Sequence, residues 1–74
     1  MKVKERKKTI NETLSNNIRA KRIILRFSQK QLANKVSLDQ SAIARIETFN
    51  RKVLAEELPL FAEALKTSIN ELYS

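Results

Sequence analysis

SQKQLANKVSLDQSAIARIE, residues 28–47, decides the fold. Ser28 reads as a helix N-cap, a hydroxyl placed to accept a hydrogen bond from a free amide in the first turn behind it. Leu32, Ala33 and Val36 then recur at helical spacing and form an inner face. The pattern stops near Ser37-Leu38, and Asp39 is the next N-cap candidate. Its carboxylate also suits the positive end of a helix dipole. The helix behind it, about Gln40 to Thr48, is expected to bury Ile43 and Ile46. Two helices of about eight and nine residues thus flank a turn of about three. Ala33 is small enough for their crossing, while Leu32, Val36, Leu38, Ile43 and Ile46 suit a core.

With that inner face anchored, the second helix turns Gln40, Ser41, Ala44, Arg45 and Thr48 outward. They are short or polar and include no acid. Such a face can enter a major groove without repelling phosphate, and Gln and Arg can each make bidentate contacts to base edges. Glu47 is the only acidic residue between Gln40 and Lys52, and on a DNA-facing helix it would oppose phosphate unless a cation held it. Arg51 and Lys52, with Arg26 and Lys30 behind them, are the candidates for phosphate contact. The bland alternative for these four is a solvated surface.

Working outward, Ile10, Leu14, Ile18 and Leu25 fall on one stripe of a preceding helix, from about Asn11 or Ser15 to Leu25. Residues 1–9, MKVKERKKT, hold five Lys or Arg and read as a flexible basic arm. Its residues 2–8 could enter a minor groove, track phosphates or simply stay solvated. On the other side, Leu58, Phe61, Ala62 and Leu65 mark a further helix. Pro59 is tolerated in a first turn but costs ~3 kcal/mol in an interior, so the regular helix should begin close to Leu58 after an irregular lead-in at 54–57. Ser68 caps a last short helix containing Ile69 and Leu72. The expectation is an all-α, five-helix domain over residues 10–74.

Composition narrows the function. There is no Cys and no His, which removes disulfides, thiolate metal sites and the usual general base. Without a Gly-rich phosphate loop or a clustered carboxylate pair either, neither an enzyme nor a bound metal or cofactor is expected. Fifteen Lys and Arg against eight acids give a formal charge of +7 and favour polyanionic partners. No apolar run approaches the ~20 residues of a membrane span, and the basic start is not followed by a signal-like apolar stretch. A cytoplasmic protein is the default.

The order and spacing of several segments resemble the Cro and phage-repressor type of helix-turn-helix, the XRE family. They are IRAKR at 18–22, Ser28-Gln29, Leu32-Ala33, IARIE at 43–47, LPLFAEAL at 58–65 and SINEL at 68–72. The likeness runs from about Leu14 to Leu72 and implies a lambda-repressor-like fold. It further implies that Gln29 contacts a phosphate and braces the recognition helix, that Gln40, Ser41 and Arg45 read bases, and that Arg22 pairs with Glu47. The chain departs from the family in having no Gly. Arg26, Ser37 and Phe49 stand where the family usually has one, although positive φ costs a non-glycine residue ~1–2 kcal/mol. Val53 also replaces a common Pro.

The expectation is therefore a sequence-specific, double-stranded-DNA-binding transcriptional regulator of the repressor kind, a homodimer on paired operator half-sites. Ile23 or Ile24, Phe49, Val53, Leu54, and Leu60 or Tyr73 are the surplus apolar residues where subunits could meet. The alternative is a protein-interaction module on the same fold, an antitoxin or accessory factor, with DNA binding secondary or absent.

Overall fold

The computed structural model describes residues 9–74, and four of its five helices begin at a side chain that caps them. Thr9 opens α1 (Ile10–Ile24): its hydroxyl accepts from the Glu12 amide while the Glu12 carboxylate accepts from the Thr9 amide. This reciprocal box starts the helix slightly ahead of Asn11. Ser28 and Gln31 repeat it at α2 (Gln29–Lys35). Asp39 accepts from Ala42 at α3 (Gln40–Glu47), and Ser68 from Glu71 at α5 (Ile69–Leu72). The exception is α4 (Leu58–Ala64), which grows out of a 3-10 turn over Ala55–Glu57. Pro59 lies in its first turn, where the missing amide forfeits no helix bond.

Four helices also end alike. Beyond α1, α2, α3 and α4, the residues Arg26, Ser37, Phe49 and Lys66 adopt φ of 64°, 61°, 67° and 57°. In each case the next amide reaches back five residues: Phe27 to the Arg22 carbonyl, Leu38 to Ala33, Asn50 to Arg45 and Thr67 to Ala62. This closure satisfies carbonyls that the helix end would otherwise leave open. The three positions lacking the family's glycine therefore keep the left-handed geometry, and Lys66 adds a fourth.

The core gathers Leu14 and Ile18 of α1, Leu32 and Ala33 of α2 with Val36 at its end, Ile43 and Ile46 of α3, Phe61 and Ala62 of α4 with Leu65 at its end, and Leu72 of α5. Phe61 is the largest of the fully buried side chains. Removing its ring would cost about 3–5 kcal/mol, a large share of the ~5–15 kcal/mol that holds a small domain together. Against this core, α2 packs on α3 and α4, and α1 on α3 and α5. The Asn17 amide donates to the Leu72 carbonyl at 2.9 Å, fixing α1 to the end of α5.

Several apolar expectations need correction. Ile10 follows the α1 stripe but is 70% exposed, because it lies in the first turn, ahead of the packed part of the helix. Leu25 and Leu38 sit half-buried at the core's rim, as does Val53. Within α5, Leu72 carries the burial and Ile69 is exposed.

Candidate nucleic-acid interface

Burial orients α3 without ambiguity. Ile43 and Ile46 are fully inaccessible and Ala42 nearly so. The opposite side carries Gln40, Ser41 and Arg45, all exposed, with Ala44 half-buried between them. Gln40 and Ser41 lie in the first turn, and Arg45 follows one turn later on the same side. Thr48 is exposed too, but its hydroxyl donates back to the Ala44 carbonyl at 2.9 Å and so serves to close the helix.

Glu47 ends α3 on the inner side, its side chain only 2% exposed. Arg22, in the last turn of α1, meets it edge to edge: Nε donates to Oε2 at 2.7 Å and Nη2 to Oε1 at 3.0 Å. The third nitrogen, Nη1, donates to the Phe27 carbonyl at 2.7 Å. The Gln29 amide, from the first turn of α2, adds a bond to Glu47 Oε1 at 3.2 Å. One carboxylate thus ties the end of α1, the start of α2 and the end of α3. It is also neutralised where an open negative charge would sit under the outward face of α3.

Asp39 adds a contact with no counterpart in the sequence reading. Its Oδ1 accepts both the Ala42 amide at 2.9 Å and the Ser41 hydroxyl at 3.0 Å. The amide bond first, and the hydroxyl bond second, hold the Asp39 carboxyl below its ordinary range. An Asp two residues before a Ser at a helix start is the signal that could have revealed the pair.

The cations divide into two kinds. Arg26, Lys30 and Lys52 are exposed, and among the described residues no hydrogen bond or ion pair holds their side chains. Arg51 is already engaged: Nη1 and Nη2 donate to Glu57 Oε1 and Oε2 at 3.0 and 2.9 Å, and Nη1 also reaches the Lys52 carbonyl. Glu57, itself buried, additionally accepts the Leu54 amide. Foremost among the causes, the Arg51 guanidinium keeps its carboxyl below the ordinary range, against the opposing effect of burial. This pair ties the exit loop of α3 to the last residue of the 3-10 turn. Lys35, absent from the sequence candidates, stacks its ammonium over the Phe27 ring at 4.8 Å. The arm at 2–8 lies outside the described residues.

Large apolar side chains remain at the surface: Ile23, Ile24, Phe49, Leu54, Leu60 and Tyr73 are each at least 40% exposed. Half of the Phe49 side chain faces solvent. Among the described residues no helix is long and apolar enough to cross a membrane.

Known proteins are similar to this chain in sequence and fold. A family model described as helix-turn-helix matches residues 18–72. The control protein C.SmaI of Serratia marcescens is 38% identical over 63 residues, which cover 85% of this chain and 75% of that protein. Among solved structures, the restriction-modification controller protein C.AhdI from Aeromonas hydrophila superposes with a TM-score of 0.79 at 27% identity, over 85% of this chain and 96% of that one. The P22 c2 repressor, crystallised with a synthetic operator, superposes with a TM-score of 0.77 at 28% identity, over 82% of this chain and 92% of that one.

Proposed function

The chain belongs to the helix-turn-helix family and is a DNA-binding transcriptional regulator; we propose that it acts as a homodimeric repressor, inserting one α3 into each major groove of a paired operator site. The observation that carries this reading is the outward face of α3. Gln40, Ser41 and Arg45 are exposed together, while the helix's only carboxylate is turned inward and held by Arg22.

In this reading Gln40, Ser41 and Arg45 contact base edges, and Ala44 offers a methyl to a thymine methyl. Lys52, Lys30 and Arg26 hold phosphates, and Arg51 stands behind them because Glu57 already occupies its guanidinium. Gln29 acts as the brace, its amide committed to Glu47. A single module of this kind buries only roughly 600–1,000 Å² on DNA, so a second subunit at a half-site roughly 34 Å away supplies the missing affinity. Leu54, Leu60 and Tyr73, with Ile23 and Ile24, provide apolar surface for that contact. Similarity to C.AhdI supports a restriction-modification gene set as the regulated unit, and the setting is the cytoplasm.

The exposed Phe49 and Leu54 favour a second reading, a protein-interaction module on the same fold. Selection of bound sequences from a random duplex pool separates the two. The first reading expects a two-fold symmetric consensus and a log affinity that falls steeply with log salt. No preferred sequence, with weak salt dependence, would overturn it in favour of the second.

A further inference from the structure

The hydroxyl of Ser41 is already committed. It lies 3.0 Å from Asp39 Oδ1, which also accepts the Ala42 amide at 2.9 Å. An ionised carboxylate has no proton to give, so the shared hydrogen belongs to the serine. Asp39, like any exposed aspartate, is ionised at neutral pH, and the bonds it accepts further favour its charged form. A free serine hydroxyl rotates to suit a donor or an acceptor. This one can present a proton elsewhere only by giving up a bond to a charged acceptor, which is roughly twice as strong as a neutral one. What remains on the exposed side of Ser41 is lone-pair density.

Major-groove edges differ in this respect. Adenine N6 and cytosine N4 carry amino donors, whereas guanine O6 and N7 and thymine O4 are acceptors. We propose that Ser41 is an acceptor-only reader that selects its base pair through an exocyclic amino group, adenine N6 or cytosine N4, with Asp39 as the positioning residue that fixes this polarity. The inference rests on α3 being the helix that enters the major groove. The same accounting takes Ser41 out of phosphate binding: it has no hydrogen for a phosphate oxygen, and the Asp39 charge stands beside it. Arg45, one turn along, has the opposite character, since a guanidinium only donates and matches the paired acceptors of guanine. An acceptor at Ser41 and a donor one turn later at Arg45 distinguish the two ends of the reading face along each half-site.

The test has two steps. Sequences are first selected from a random duplex pool by the intact chain and by Ser41→Ala, which locates the base pair whose preference the serine sets. At that pair the amino group is then deleted, with purine for adenine or an amino-free pyrimidinone for cytosine, and affinity is measured by titration. The intact chain is expected to lose about tenfold on this deletion, and Ser41→Ala to lose nothing further. Asp39→Gly, which keeps an acceptable N-cap residue while freeing the hydroxyl, is expected to shrink the loss to about threefold or less. Undiminished binding of the amino-deleted duplex by the intact chain would overturn the proposal, as would a Ser41→Ala consensus identical to the parent's. An intact chain that selects no sequence at all would overturn the underlying reading of α3, and it would do so at the first step, before any base is altered.

Discussion

Arg22 and Glu47, 25 positions apart, form a two-point ion pair in which the carboxylate is the more deeply buried partner, at 2% exposure against 13%. That asymmetry decides which half is costlier to lose. Arg22→Ala strands a carboxylate with only the Gln29 amide beside it, and is expected to destabilise the fold by about 3–5 kcal/mol. Glu47→Gln leaves a cation that can still reach water and the Phe27 carbonyl, and should cost about 1–2 kcal/mol. Urea midpoints for the two variants check the order. Equal losses would mean that the difference in burial does not set the cost, and losses below about 1 kcal/mol on both sides would mark the pair as a surface bridge.

The four left-handed helix ends are a stability reserve. Ser37→Gly and Lys66→Gly should each stabilise by about 0.5–1 kcal/mol, the relief of positive φ partly offset by greater freedom of the unfolded chain. For a domain of this size that corresponds to a rise in Tm of a few degrees, about 4–8 °C per kcal/mol. Thermal unfolding of the two variants, singly and together, measures it. Unchanged or lowered midpoints would show that these turns carry no strain.

The Arg51–Glu57 pair should appear in the acid limb of stability. Glu57 titrates lower in the folded protein than in the unfolded chain, so between those two values the unfolded state binds the extra proton. Its contribution is complete above the ordinary carboxylate range of roughly pH 4–5 and is lost as pH falls through the folded value. Asp39 and Glu71 are shifted in the same direction and add to the same trend. Glu57→Gln is expected to lower stability at pH 7 and to flatten the fall below roughly pH 5. Denaturant midpoints across pH would reveal an unaltered slope if the pair were inert.

Phosphate and base contacts should separate by mutation. Lys52→Ala is expected to weaken binding to all duplexes alike and to reduce the salt slope by about one. Titrations of a selected and a scrambled duplex at several salt concentrations distinguish this from a change in sequence preference.

Much of the architecture was legible because side-chain type and periodicity agreed. Ser28, Asp39 and Ser68 each combine a capping oxygen with a helical apolar pattern behind them, and each caps a helix. Arg26, Ser37 and Phe49 were marked for attention by the glycines that the resemblance leads one to expect there. Lys66 has no such marker in the sequence. Ile10 shows what periodicity leaves out: it assigns a face to a residue but not how far along the helix the core extends. Arg51 looked like an open cation because its partner is reached across an irregular turn, where no repeat predicts proximity. The Asp39–Ser41 bond is local, but a capping carboxylate and an outward-facing hydroxyl each account for their residue without it.

Whether α3 reads sequence is decided by Arg45→Ala. The quantity to measure is the ratio of affinities for the selected duplex and a scrambled one, at fixed salt. This ratio is expected to fall about tenfold or more in Arg45→Ala, within the ~1–3 kcal/mol of discrimination that a bidentate base contact supplies. A ratio unchanged from the parent protein would contradict sequence reading by α3.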